Sequence, residues 1–249
     1  MLTALNSTDQ LVVSIDVSPQ EGPFFCPGCR GPTIHKSGPH KMAHFAHKAG
    51  TSPEYCDRVA ESLEHERIKL AIYEGARAAK VVFTQPEFKI KDHIIDVAII
   101  GESHRVAVEV QLSPMKRDDI LARVAGHAAA GFITLWVVKT PEPTEGLQEK
   151  YRIRAFQRDI HELSKEALFV HRHGLVFDVI HLMGFSHVTM FYMKPLFSPL
   201  HLFELDCSGP VVAPPEKSRW WERLRPPKSP WKLGFESKFE AESQPWLLG

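Results

Sequence analysis

The sequence predicts an α/β (α+β) chain, a sheet flanked by helices, with a small metal-organised module before it and a Pro- and Trp-rich tail after it. Three observations point there. Residues 1–58 are rich in Gly, Pro, Cys and His, with four histidines from His35 to His47, and show little helical periodicity. From residue 61 a Pro-free run of helix formers gives way to β-branched segments separated by polar turns. From Gly209 on, the last 41 residues hold seven of the 19 prolines and four of the five tryptophans. Such a segment is expected to be extended, with its tryptophans against a partner or the chain's own surface.

Composition bounds the classes open to it. At 249 residues, 43% of them hydrophobic and 24% charged, the chain can bury a sizeable core and is not wholly disordered. Lys plus Arg equals Asp plus Glu, 30 against 30, so any nucleic-acid binding must come from local patches. No stretch approaches the roughly 18 uninterrupted apolar residues that a bilayer span needs. The strongest run, 132–138, has the length of a buried strand. The N-terminus carries Asp9 and Asp16 and no basic region ahead of an apolar stretch, which is not the pattern of a secretory signal. A cytoplasmic protein without a membrane partner is expected.

The elements follow in order. Residues 61–79 are expected to form a helix, with Leu63, Ile68, Leu70, Ile72 and Tyr73 as its apolar positions. Strands are expected at 81–83, 88–90, 94–100 and 106–112, a helix at 115–130, a strand at 132–138 and a long amphipathic segment at 147–168. No internal repeat is visible. The expected organisation is a module at 1–58, a core at 59–208 and the tail at 209–249.

In the module, Cys26-Pro-Gly-Cys29 and His44-Phe-Ala-His47 each enclose two residues and lie 14 residues apart. Two such turns let thiolates and imidazoles converge tetrahedrally on one Zn²⁺ at about 2.0–2.3 Å, the layout of a zinc ribbon. Cys56 is a fifth candidate for four positions. Clustered cysteines in a reducing compartment favour metal over disulfides, whereas Cys207 stands alone. The order of these residues is not that of a zinc deaminase, and no His-Glu-x-x-His helix, P-loop or dinucleotide fingerprint is present. The zinc is therefore expected to be structural, and a module this small would need it to fold.

The chemistry points elsewhere. Residues 94–100 and 106–112 read as an antiparallel hairpin, and a turn centred between Glu102 and Ser103 sets Asp96 directly opposite Glu109. Opposed Cβ atoms lie about 4.5–5.5 Å apart, so two carboxylates there could share one divalent cation. Gln111 joins that face by the period of two, while Val97, Ile99, Val108, Val110 and Leu112 form the other. Acids in mid-strand among β-branched residues are costly unless a metal or bases neutralise them. In the preceding helix, Glu61, His65 and Lys69 recur every four residues, a polar stripe that could form the third wall of a metal site.

These residues resemble the competence protein CoiA-like nucleases, members of the PD-(D/E)XK superfamily. The resemblance rests on Phe25-Cys-Pro-Gly-Cys29, Lys41-Met-Ala-His-Phe-Ala-His47, Glu61-Ser-Leu-Glu-His65 through Lys69, Asp96-Val, Glu109-Val-Gln-Leu-Ser113 and the strand from Gly131 to Trp136. It implies a restriction-endonuclease-like mixed sheet, Mg²⁺ (or Mn²⁺) bound by Asp96 and Glu109, Glu61 as the helix acid, and DNA as substrate. The lysine usual in the final motif is Gln111 here. Lys69 or His65, reaching in from the helix, could polarise the attacking water instead. Lys116, Arg117 and Arg123 are the candidate phosphate contacts.

The expected function is thus hydrolysis of DNA phosphodiester bonds, in DNA uptake and recombination during natural transformation or in defence against foreign DNA such as phage. The alternative is a catalytically inactive zinc-containing protein that binds DNA or a recombination partner. The tail could serve recombination or defence proteins. A core with one site often cuts both strands only as a dimer, so a homodimer is compatible.

Overall fold

The structure is a computed structural model describing residues 1–39, 41–50, 56, 61–91, 93–102, 104–143, 150–164, 168–183, 190–195 and 200–201. The 209–249 tail, Cys207, Ser103 and parts of the 147–168 segment lie outside the described residues.

Five short strands open the chain: β1 (Thr3–Leu5), β2 (Leu11–Val13), β3 (Phe24–Phe25), β4 (Pro32–Gly38) and β5 (Lys41–His47). They form an antiparallel sheet ordered β2-β1-β3-β4-β5. Its core is small: Ala4, Phe24 and Phe45 are buried, and the Phe24 and Phe45 rings meet at 5.0 Å with His35 packed beside them.

Helix α1 (Leu63–Ala78) follows. The Ser62 side chain caps it by accepting from the His65 N–H at 3.2 Å, and Glu64 and Glu66 complement the positive end of the helix dipole. Next come β6 (Phe83–Ile90), β7 (His93–Ile100), β8 (Arg105–Gln111), α2 (Arg117–Ala129) and β9 (Ile133–Val138). β6, β7 and β8 pair antiparallel, while β8 and β9 are parallel and joined through α2, as a parallel pair requires a crossover. Gly131, at φ +81°, turns the chain from α2 into β9, a left-handed position that suits glycine.

The remainder is β10 (Glu142–Pro143), β11 (Lys150–Arg152), α3 (Ala155–Leu163), β12 (Leu168–His173), β13 (Val176–Met183), β14 (Met190–Pro195) and β15 (Leu200–His201). These strands join β6–β9 in one ten-stranded mixed sheet ordered β10-β11-β14-β13-β12-β9-β8-β7-β6, with β15 on β13. α1 covers the face carrying Val97, Ile99, Val108, Val110, Leu135 and Val137. α2 and α3 cover the other face at Trp136 and Val138.

Two expectations need correction. Of the expected strand 81–83 only Phe83 is in a strand, and it is continuous with 88–90 in β6, where Pro86 and Glu87 mark an irregularity rather than a break. The stretch 147–168 is not one helical run: β11 precedes a short α3, because the buried helical face of Phe156, Ile160 and Leu163 begins only there. The β12–β13 hairpin turning at Gly174 was not anticipated.

The module is docked on the core. Leu2 and Val13 join the core beneath α1, the Met1 amino group pairs with Glu66 at 2.6 Å, and Tyr73 Oη donates to Asp16 at 3.1 Å.

Candidate active site

The β7–β8 register runs Val97↔Val108, Ala98↔Ala107, Ile99↔Val106 and Ile100↔Arg105, and the Gly101 N–H donates to His104 O at 2.8 Å. Asp96 and Glu109 are therefore the next opposed positions. The ladder changes there: Val110 donates its N–H to the Asp96 carboxylate at 2.8 Å. On the other flank Pro86 pairs with Val97 and Phe88 with Ile95, so Glu87 stands opposite Asp96. Glu87, Asp96 and Glu109 thus form one row across three neighbouring strands. All three are buried.

Buried carboxylates need counter-charge. For Asp96 and Glu87 it comes from α1, whose buried face includes the fully buried Lys69. Lys69 Nζ pairs with Glu61, lies 3.4 Å from Glu87 Oε1 and 3.8 Å from Asp96 Oδ1. One turn earlier, His65 Nε2 lies 3.0 Å from Asp96 Oδ2, with Nδ1 3.9 Å from Glu61. Burial works to raise the Asp96 carboxyl, but His65, Lys69 and the Val110 N–H hold it below the usual carboxylate range. The three acids around Lys69 raise its ammonium well above the ordinary lysine value despite burial.

Glu109 has a different environment. Arg123 of α2 donates to Oε2 at 2.7 Å, and His127 Nε2 lies 3.4 Å from Oε1 without a hydrogen bond. Burial, then the Asp96 charge, pushes Glu109 up to about 8 against the pull of Arg123. Burial, with His93 and Arg123 nearby, brings His127 down to about 4, and its Nδ1 lies 2.9 Å from Thr134 Oγ1. Gln111 spends its amide nitrogen on Ser113 O at 2.6 Å.

Glu61, His65 and Asp96 open into a cleft of about 1250 Å³, with Lys91, His93, Lys116 and Arg123 on its walls. One ligand atom from each of Glu61, His65 and Asp96 lies within 4.8 Å of the others, a spacing one cation can bridge. Glu61, Glu87 and Asp96 outnumber the single Lys69 ammonium by two charges, which a divalent ion would balance.

In the module, Cys26 Sγ lies 3.6 Å from Cys56 Sγ, and His47 Nε2 lies 3.3 Å from Cys29 Sγ and 3.7 Å from Cys56 Sγ. These are the edges of a tetrahedron with bonds of about 2.0–2.3 Å, so a Cys₃His set fits Zn²⁺. His44, the fifth candidate, stands apart with Nδ1 2.9 Å from Met42 O.

Comparison with protein families matches the competence protein CoiA N-terminal domain to residues 9–55 and the CoiA nuclease-like domain to residues 61–203. The chain belongs to the competence protein CoiA family. No curated protein and no solved structure matches it.

The nuclease-like domain of this CoiA-family chain gathers Glu61, His65, Lys69 and Asp96 around one cleft and sets Glu109 behind Arg123. Of the phosphate-contact candidates, Lys116 and Arg123 line the cleft. Arg117 is committed instead to α3, bonding Asp159 at 2.8 Å and Glu162 at 3.0 Å, because two acids of α3 face the first turn of α2. Sequence reasoning missed Glu87 altogether and noted His127 only as a further polar residue near Arg123. His127 sits one turn beyond Arg123 on α2, a helical spacing that could have singled it out. Among the described residues, no helix is long and apolar enough to cross a membrane.

Proposed function

We propose that this chain is a metal-dependent nuclease that hydrolyses DNA phosphodiester bonds, in DNA uptake and recombination during natural transformation, with defence against foreign DNA as the other compatible setting. The observation that carries the reading is the cleft itself, where Glu61, His65 and Asp96 converge beside an unbalanced double negative charge.

A divalent ion such as Mg²⁺ or Mn²⁺, when bound there, supplies Lewis acidity toward a phosphate and lowers the pKa of water. Asp96, with Glu61 and His65, would hold it. Lys69 holds the acids together and is too enclosed to meet substrate. Its ammonium neutralises the acids from α1 and does not fill the water-polarising place that Gln111 leaves on β8. Arg123 and Lys116, at the cleft wall, are placed to meet phosphate oxygens. Zinc at Cys26, Cys29, His47 and Cys56 would hold the module together.

A second reading, a zinc-containing DNA-binding protein without activity, is favoured by Gln111 being turned onto Ser113 and by Arg123 already occupying Glu109. Cleavage of plasmid and single-stranded DNA separates the two. Breakdown on adding Mg²⁺ or Mn²⁺ to the zinc-loaded chain, and none without the ion, supports the nuclease. DNA binding with no cleavage under any divalent ion supports the second reading.

A further inference from the structure

Glu87 carries three unusual features. Its backbone has φ +52°, a left-handed conformation rare for a non-glycine residue and rarer inside a strand. Its side chain is only 4% exposed. And its carboxylate is held from the N-terminal module: Oε1 accepts from the Leu2 N–H at 2.8 Å, and Oε2 from the Thr3 N–H at 3.2 Å and Thr3 Oγ1 at 2.7 Å. The same carboxylate meets Lys69.

We propose that Glu87 is a positioning residue through which the zinc module sets the divalent-ion site of the cleft. The inference rests on reading that cleft as a metal site. The contacts run continuously. Cys26 directly follows Phe25 of β3, which pairs with Leu5 of β1, and Cys26 Sγ lies 3.9 Å from Met1 Sδ. β1 and the residue before it supply the donors to Glu87, Glu87 shares Lys69 with Asp96, and Lys69 also pairs with Glu61. A left-handed residue persists only where its surroundings hold it, and the β1 donors are that hold.

The sign of the effect follows from charge. While β1 grips Glu87, Lys69 is divided among three acids, leaving Asp96 and Glu61 with charge for an ion. When the module loosens, the Glu87 carboxylate loses the donors that hold it in the row and turns towards solvent, and Lys69, left with two acids, moves onto Asp96 and Glu61, neutralising the oxygens that the ion needs. Zinc occupancy and divalent-ion affinity are then thermodynamically coupled, each strengthening the other.

The test is Mn²⁺ affinity of the full chain, followed by electron paramagnetic resonance of the free ion, with zinc content and circular dichroism as controls. Zinc removal under reducing conditions is expected to weaken Mn²⁺ binding about tenfold in the unmutated chain and to have little further effect in Glu87→Gln. Thr3→Val keeps both zinc and the charge at position 87, and is expected to weaken Mn²⁺ binding about threefold to tenfold. It decides the matter if zinc removal unfolds the chain. Unchanged Mn²⁺ affinity in zinc-loaded Thr3→Val, with binding still lost in Asp96→Asn, overturns this inference alone. Absence of Mn²⁺ binding in the unmutated chain overturns the metal site as well.

Discussion

Lys69 Nζ stands between Glu87 Oε1, at 3.4 Å, and Asp96 Oδ1, at 3.8 Å, acids from opposed positions of adjacent strands. Helix α1 therefore inserts a fully buried ammonium into a row of carboxylates. Lys69→Met removes the ammonium and leaves Glu61, Glu87 and Asp96 facing one another. The expected loss is about 3–5 kcal/mol, the cost of stranding buried charge. Urea unfolding at neutral pH checks it, and a divalent ion is expected to restore part of the loss.

Glu109 gives the metal-free protein a distinct pH dependence. Its folded-state pKa, about 8, lies above the ordinary 4.5. The folded state thus binds more protons than the unfolded state between these values. The contribution is fully present below about pH 4.5 and is lost as pH rises toward 8. His127, brought down to about 4, acts oppositely: its contribution is present above about 6.5 and lost as pH falls toward 4. Glu109→Gln should flatten the decline on the alkaline side and leave the acid-side loss. Urea unfolding at pH 5, 6.5 and 8 measures both.

The zinc set is equally open to test. Cys56→Ser and His47→Ala should each lose zinc from the purified chain, whereas His44→Ala should retain one equivalent, because His44 lies outside the Cys₃His cluster. Metal analysis reads the outcome directly. Full zinc retention in Cys56→Ser would exclude it as a ligand.

Gly75 illustrates how packing reverses a propensity rule. In an exposed helix interior, Gly→Ala stabilises by up to about 1 kcal/mol. Here a Cβ on Gly75 would lie 2.7–2.8 Å from the Gly174 and Leu175 backbone at the β12–β13 turn. Gly75→Ala should instead destabilise by about 1–3 kcal/mol, because backbone must shift. Thermal unfolding shows the sign.

The local parts of this site were legible in the sequence. A turn at 102–103 was enough to set Asp96 opposite Glu109, since antiparallel register follows from the turn. The spacing of His65 and Lys69 was enough to put them on one side of α1, and Glu61, just ahead of the Ser62 N-cap, joins them there. What the sequence concealed was long-range. Glu87 beside Pro86 reads as a strand interruption, and only its register with Asp96 and the donors of Leu2 and Thr3 show it to be buried machinery. Arg117 and Lys116 look alike in sequence, and the acids of α3 decide which one reaches the cleft. Choosing Cys56 over His44 likewise required the fold to bring residue 56 beside the knuckle.

If the acids around Asp96 hold an ion that cuts DNA, neutralising Asp96 removes cleavage. Asp96→Asn keeps the shape of the side chain and removes its charge, so the variant can be compared with the unmutated chain for single-turnover DNA cleavage in Mn²⁺, with DNA binding and zinc content recorded alongside. Cleavage by the unmutated chain is expected, with a loss of at least about a hundredfold in Asp96→Asn and DNA binding and zinc retained. Cleavage at equal rates by both chains would contradict it.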